Sequence, residues 1–178
     1  LVVLAAWRLP VQRTAVAAHE AGAPIAAVLR RPEVAWFFAG LFMTVLAHSA
    51  LYVFFSLYLS ELGYGKGMVG LLWAVSVVVE IAWFAFQCRL LESGSLHRWL
   101  LASALLTALR FAITAAFGQS LALLMLAQSL HALTFAVQHT ACIALITRYF
   151  PGPLRGRGQA LYSVLGYGFS GVLGGLGG

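Results

Sequence analysis

Five ionisable side chains stand inside otherwise apolar stretches of this sequence: Glu80, Arg110, His48, His131 and His139. Glu80 lies in "LLWAVSVVVEIAWFAF", residues 71–86, and has no cation within a helical turn of it. A carboxylate there could carry a proton or contact a substrate, because burial away from water favours its neutral form. It could also serve as a structural partner for Arg110, and the two roles are compatible.

Polar residues recur around these groups at helical spacing. The sets are Thr44, His48, Tyr52 and Ser56; Ser76, Glu80, Trp83 and Gln87; Ser103, Thr107, Arg110 and Thr114; Gln128, His131, Phe135 and His139; and Gln159, Tyr162, Ser163, Gly166 and Ser170. Side chains three and four residues apart share one helix face. Each set therefore predicts a face that avoids lipid and meets a bundle interior or an aqueous cavity.

The chemistry open to these residues is limited. Arg110 is a natural counter-charge for an organic anion, because its planar fork matches a carboxylate. The histidines could exchange protons near physiological pH or only hydrogen-bond between helices. No carboxylate or thiolate joins His131 and His139, so neither a metal site nor another cofactor is indicated. "GYGFSG", residues 166–171, lacks the strand context of a dinucleotide site and favours close helix packing.

Membrane helices must position these side chains. The chain is 62% hydrophobic and 9% charged, against about 25% charged residues in a soluble domain, and its mean hydropathy is +0.92. Apolar stretches of this length can satisfy their backbone in lipid only as helices. The sequence predicts an all-α membrane protein. The predicted segments are the end of one span at 1–9 and further spans at about 34–60, 68–88, 99–117, 121–147 and 159–178.

Basic residues fall on alternate connectors. Of the 11 lysines and arginines, all but Lys66 and Arg110 lie within residues 8–31, 89–98 and 148–157. The positive-inside rule places these Arg-rich connectors in the cytoplasm. The net charge of +6 is thereby explained by topology, and no nucleic-acid partner is expected.

The order and spacing of several motifs resemble the major facilitator superfamily, and within it the branch of the 3-phenylpropionate permease. The motifs are "GY" at 63–64, "VGLLW" at 69–73, Glu80, Arg110, "QSLHALTFAVQH" at 128–139 and "QALYS" at 159–163. The resemblance implies the C-terminal half of a twelve-helix transporter. Residues 10–33 would be the cytoplasmic linker between halves, and residues 34–178 an incomplete bundle of about five helices.

The resemblance also implies alternating access around a site near the membrane midplane. It suggests proton symport of an aromatic carboxylate by an inner-membrane protein that is monomeric when full length. Helices seven, eight, ten and eleven of such proteins line the cavity. The resulting candidates are Glu80 and His131 for the proton, and His48, Tyr52, Gln128, His139 and Tyr162 for the substrate. Helix nine lies outside that ring, which favours an internal ion pair of Arg110 with Glu80.

Other functions stay open at this point. A sugar or nucleoside symporter, or a drug exporter, would share the fold, because substrate class differs within a fold. A non-transporting membrane interaction subunit is an alternative of another class. A membrane-embedded enzyme is not expected, since the sequence offers no clustered nucleophile, carboxylate pair or metal-ligand set.

Overall fold

The computed structural model describes residues 24–91 and 95–177, and the side chains among these except at 88–91. The described residues are helical apart from short connections, which confirms the predicted all-α architecture. The α-helices are α1 Ile25–Leu29, α2 Pro32–Glu61, α3 Lys66–Leu91, α4 Leu96–Ala116, α5 Leu121–Ser129, α6 Val137–Tyr149, α7 Arg155–Leu161 and α8 Ser170–Leu176. Two π-helical segments, Ala132–Ala136 and Tyr162–Phe169, join α5 to α6 and α7 to α8. A single 3-10 turn, Gly152–Leu154, precedes α7.

Four segments within the described residues are long and apolar enough to cross a membrane: Pro32–Glu61, Lys66–Gln87, Leu96–Ala116 and Leu121–Tyr149. They overlap the first four complete spans expected from the sequence. The segment from α7 to α8 overlaps the last expected span and begins at Arg155, inside what the sequence suggested was a loop. The expected span end at 1–9 and the first part of the linker, up to residue 23, lie outside the described residues.

Proline and glycine set the helix boundaries. Pro32 opens α2, where a missing N–H costs nothing because that hydrogen bond would be absent in any case. Gly63, with φ of 89°, turns the backbone between α2 and α3. Pro151 and Gly152, the latter with φ of 58°, separate α6 from α7.

The segment Leu121–Tyr149 lies between α3 and α4 and packs against both, while α2 packs against α8 and the π-helical segment before it. One apolar core lies at the end that carries most of the arginines, here called the Arg-rich end; it includes Phe38, Leu41, Ile146 and Phe150. A second core lies at the opposite end and is made by Phe55, Leu59, Leu72 and Leu124. Of the polar side chains described next, Glu80, Arg110 and His131 are in neither core, whereas Tyr162 belongs to the first core and Tyr167 packs against it.

Candidate functional site

Three ionisable side chains from three helical segments meet, and the imidazole of His131 lies in the middle. Arg110 of α4 donates from Nη1 to Nδ1 of His131 at 3.0 Å. On the other side of the ring, Nε2 of His131 lies 3.7 Å from Oε2 of Glu80 in α3. The side chains of Glu80, Arg110 and His131 are called the Arg–His–Glu cluster. Its imidazole stands between a cation and a carboxylate.

The hydrogen bond from Arg110 fixes where His131 carries its hydrogen. A guanidinium only donates, so Nδ1 must offer its lone pair. The neutral ring then carries its hydrogen on Nε2, which faces the hydroxyl oxygen of Tyr52 at 3.3 Å and the Glu80 carboxylate. A second proton can enter the ring at Nδ1 only after Arg110 withdraws. Protonation of His131 thus depends on the position of α4.

The remaining contacts of Arg110 are with neutral groups. Its side chain is 1% exposed, and it donates to Oγ1 of Thr134 and Oε1 of Gln128, each at 3.4 Å. Its guanidinium carbon lies 5.6 Å from the ring centre of Phe111, within cation–π range. A buried cation without an adjacent anion is costly. The Glu80 carboxylate, the anion of this cluster, lies beyond His131 rather than against the guanidinium.

The direct Glu80–Arg110 ion pair expected from the sequence does not form. Among the described residues, Glu80 makes its ionic contact with His131, and Arg110 has no salt bridge. The reason is the packing order, because the segment Leu121–Tyr149 separates α3 from α4. His131 occupies the space that a direct pair would need.

The other polar residues of the α4 set are satisfied within their own helix. Ser103, Thr107 and Thr114 donate to the carbonyls of Leu100, Ser103 and Arg110 at 2.9, 2.8 and 3.0 Å. Serine and threonine hydroxyls often bond to the preceding turn in this way. Arg110 is the member of this set whose side chain bonds across to another helix.

His48 packs beside the Arg–His–Glu cluster. Its Nδ1 donates to the carbonyl of Thr44 at 2.8 Å, so Nε2 is left as an acceptor, and it has no partner among the described residues. The ring centres of Phe111, His131 and Phe135 lie 5.4, 6.0 and 5.9 Å from that of His48. The contact between the two histidines is packing rather than a hydrogen bond.

A second polar group lies nearer the Arg-rich end and consists of His139, Tyr162 and Tyr167, here called the His–Tyr cluster. The Tyr162 hydroxyl is 2.8 Å from Nδ1 of His139 and 2.9 Å from the Tyr167 hydroxyl. The Tyr167 hydroxyl is 3.3 Å from the same Nδ1. Both phenols come from the π-helical segment before α8. Unlike the first cluster, this one contains no charged group.

The two clusters share one face because of the π-helical segment Ala132–Ala136 between them. From residue 131 to residue 139, regular α-helix turns through roughly 800°, which leaves an offset of about 80°. A π-helical turn takes up an extra residue, so the offset falls to roughly 20°. The rings accordingly stack in a column, with Phe135 inclined by 19° to His131 and 17° to His139.

The predicted site residues are thus divided between two places. Those gathered at the Arg–His–Glu cluster are Glu80, Arg110, His131, Tyr52 and Gln128; His139 and Tyr162 form the second cluster, and His48 packs beside the first. Sequence reasoning missed Thr134 and Tyr167. A threonine inside the apolar run of residues 132–137 was a usable signal for the first. Tyr167 lies between two glycines, and the glycine-rich stretch was interpreted as a surface for close helix packing, so the tyrosine was not considered as a site residue.

A cavity of about 370 Å³ lies between α2, α4 and α6, towards the Arg-rich end. Its lining is mainly apolar, includes Phe37 and Leu100, and contains none of the predicted site residues. The part of the chain that the structure describes also holds no group of three His, Cys, Asp or Glu side chains that could bind a metal. The chemistry available therefore lies in the two clusters.

Comparison with known proteins gives two matches. Residues 6–178 match the model of the MFS_1 like family. The chain is also 36% identical, over 124 residues, to the probable 3-phenylpropionic acid transporter of Escherichia coli strain K12. The aligned part covers 70% of this chain and 32% of that protein, so the chain spans about a third of the length of this relative. No solved structure matches the chain.

Proposed function

We propose that this chain, which belongs to the MFS_1 like family, is part of a secondary transporter that couples movement of a small organic solute to protons. The single observation that carries the proposal is the Arg–His–Glu cluster. Ionisable groups in membrane helices are costly and mark ion or substrate pathways. The family and the name of the relative support transport, and the cluster supports proton coupling.

The membrane orientation is part of the proposal. The Arg-rich end faces the cytoplasm of a cell with an inner membrane, as the positive-inside rule favours. The Arg–His–Glu cluster then lies near mid-membrane, and the His–Tyr cluster lies on its cytoplasmic side. This placement suits alternating access, in which a site near the midplane opens to each side in turn.

Glu80 is the group proposed to take up the proton. Its side chain is 19% exposed, against 5% for His131, so the carboxylate is the less enclosed of the two groups. Protonation removes the negative charge that faces Nε2–H of His131, and with it the attraction between α3 and the segment Leu121–Tyr149. While Arg110 occupies Nδ1, His131 cannot take a second proton. The cluster therefore holds one exchangeable proton in this conformation.

Release of the proton requires a conformation in which the carboxylate is stabilised again. Return of Glu80 to the Nε2–H of His131 supplies this, and the proton leaves on the side that is then open. A ligand shifts such an equilibrium only through a difference in affinity between the two states. One proton carried with one carboxylate anion moves no net charge, so the pH difference across the membrane drives accumulation, and one pH unit contributes about 1.4 kcal/mol, or about tenfold.

The proposed solute is an aromatic carboxylate of the 3-phenylpropionate kind. The support is the name of the relative at 36% identity, together with a site rich in aromatic rings. Tyr52, Phe135 and Trp73 lie close to one another, with ring centres of Tyr52 and Trp73 5.8 Å apart and those of Tyr52 and Phe135 6.4 Å apart. A sugar or nucleoside symporter would be recognised by a different solute range, and an exporter by the opposite sign of proton movement.

The test uses the product of the complete gene in proteoliposomes with no imposed gradient. External pH is recorded on addition of 3-phenylpropionate for the parent, Glu80→Gln and Glu61→Gln. The last variant makes the same change at an exposed position where α2 ends, away from both clusters. We expect alkalinisation outside the vesicles for the parent and Glu61→Gln, and none for Glu80→Gln.

The alternatives give distinct results. If Glu80→Gln still alkalinises the medium, Glu80 is not the group that takes up the proton, and another group must do so. Uptake of labelled solute without any pH change would contradict proton coupling. An absence of 3-phenylpropionate flux in the parent would contradict the proposed substrate, and acidification would indicate export.

A further inference from the structure

The His–Tyr cluster has one open edge. Nδ1 of His139 is occupied by the hydroxyls of Tyr162 and Tyr167, at 2.8 and 3.3 Å. Nε2, on the opposite edge of the ring, has no hydrogen-bond partner among the described residues, and His139 as a whole is half-buried. Any molecule that hydrogen-bonds to this imidazole must therefore do so at Nε2.

The hydrogen count of the cluster favours a donor at that edge. Each phenol carries one hydrogen, and an oxygen or a ring nitrogen can accept. Tyr167 can donate to the Tyr162 oxygen, 2.9 Å away, and Tyr162 can then donate to Nδ1; in the reverse order, Tyr162 donates to Tyr167 and Tyr167 donates to Nδ1 at 3.3 Å. Both arrangements use both phenolic hydrogens inside the cluster. Both leave the imidazole hydrogen on Nε2, pointing away from the tyrosines.

The positive group of the other cluster is already engaged. Arg110 directs Nη1 and Nη2 at His131, Thr134 and Gln128. Its Nε has no partner among the described residues, but it is buried with the rest of the side chain, which is 1% exposed, so a solute carboxylate would have to displace packed side chains to reach it. His139 requires no such displacement. Phe135 lies between the two clusters, 6.5 Å from His139 between ring centres, and can offer a ring to an aromatic solute held there.

We propose that the His–Tyr cluster binds the carboxylate of the transported solute through Nε2–H of His139, and that Tyr167 is a positioning residue that orients this imidazole through Tyr162. The inference rests on the proposed function and deepens it. The proton and the solute anion are bound at separate clusters, roughly 12 Å apart along one helix. The ligand class is an organic carboxylate with an aromatic ring.

Solute counterflow tests this proposal, because exchange of internal for external solute needs no net proton movement. Proteoliposomes that contain the product of the complete gene are loaded with unlabelled 3-phenylpropionate, and entry of labelled 3-phenylpropionate gives KM and maximal rate. His139→Gln can place an amide N–H near the position of Nε2, whereas the shorter His139→Asn cannot. We expect KM within about threefold of the parent for His139→Gln and at least tenfold higher for His139→Asn.

Variants of the two tyrosines give a second test in the same counterflow assay. Tyr162→Phe and Tyr167→Phe are expected to raise KM about five-fold and three-fold, in the order of their distances to Nδ1, with little change in maximal rate. The control is Tyr64→Phe, which removes a hydroxyl that bonds to the Gly118 carbonyl at 3.0 Å, far from this cluster. Counterflow is also measured with two competitors, 3-phenylpropionate and the neutral 3-phenylpropionamide. Between the parent and His139→Asn, inhibition by the acid is expected to weaken much more than inhibition by the amide.

Three results would overturn the proposal. Equal KM values for the Gln and Asn variants would show that Nε2–H is not used, while the transport function would stand. A change in maximal rate alone for Tyr167→Phe would make that residue structural. Equal loss of the acid and the amide would remove the carboxylate as the recognised group. If the parent fails to exchange 3-phenylpropionate at all, this inference and the proposed substrate fall together.

Discussion

The Arg–His–Glu cluster and the His–Tyr cluster lie on one helical segment, Leu121–Tyr149, yet they differ in almost every physical respect. The first joins a cation and a carboxylate through His131, whose side chain is 5% exposed. The second joins two phenols to the half-buried His139 and contains no charged group. The first also draws on three long helices, whereas the second draws on two.

This difference indicates a division of labour. A buried charged network is strongly destabilised when one partner loses its charge, so it responds strongly to protonation. A neutral group such as the half-buried His139 can exchange one hydrogen-bond partner for another at small cost. The first cluster is therefore suited to switching between conformations, and the second to binding and releasing a solute.

The largest effect is expected at Arg110. Arg110→Gln leaves His131, Thr134 and Gln128 without their shared donor, and loss of one member of a buried charged network costs about 3–5 kcal/mol. We expect proton-driven uptake of 3-phenylpropionate to fall by at least about a hundredfold. Arg110→Lys keeps the positive charge but lacks the planar guanidinium, and we expect its proton-driven uptake to fall about tenfold.

Arg98→Gln is the matched control, because Arg98 is exposed near the start of the same helix. Its uptake is expected to stay within about twofold of the parent. Initial rates at equal protein incorporation give the comparison. Full activity in Arg110→Gln would contradict the central role assigned to the charged cluster.

A smaller effect is expected for His131→Asn, which separates the two contacts of this imidazole. The amide oxygen of asparagine can still accept from Arg110, but the shorter side chain cannot reach Glu80 or Tyr52. We expect uptake driven by a pH gradient to fall about tenfold, with counterflow within about threefold of the parent. Equal loss in both assays would show that His131 holds the bundle together rather than coupling it to protons.

The smallest effect is expected where α8 supports the His–Tyr cluster. A Cβ added at Gly174 would lie 2.7 Å from Cβ of Ser49 and 3.2 Å from the backbone nitrogen of Ala50. Such overpacking costs about 1–3 kcal/mol. Gly174→Ala is therefore expected to lower the thermal unfolding temperature and to raise the KM of counterflow two- to three-fold, without abolishing the solute-induced pH change.

Gly175→Ala is the control for this prediction, since nothing lies within 4 Å of a Cβ added there. Differential scanning fluorimetry should find it as stable as the parent or slightly more stable, because alanine favours helix. A shift in the pH signal for Gly174→Ala, with KM unchanged, would mean that α8 acts on the charged cluster instead.

Much of the helix arrangement could be predicted from the sequence, because hydropathy, chain length and arginine placement are local properties. The polar sets on each helix also identified most of the side chains that meet. Hydropathy does not say which helices are neighbours in the bundle. The Glu80–Arg110 pair was therefore expected to be direct, although His131 lies between the two.

Two other features had no usable signal in the sequence. The π-helical segment "ALTFA", residues 132–136, contains neither glycine nor proline, so nothing marked it as irregular. Tyr167 reaches His139 because the segment Tyr162–Phe169 is also π-helical, which places residues five apart close together. Both features depend on the packing of neighbouring helices rather than on local propensity.

The π-helical segment Ala132–Ala136 has a genetic consequence. It takes up one residue more than regular α-helix would, so deleting one codon within it would leave seven α-helical steps between the two histidines, or roughly 700°. The offset between His131 and His139 would stay at roughly 20°, and the two clusters would stay aligned. Deleting one codon just beyond the segment, at 137 or 138, would instead turn His139 by roughly 100° away from Tyr162 and Tyr167. The same one-codon loss is thus absorbed at one place in the helix and disconnects the clusters a few residues later.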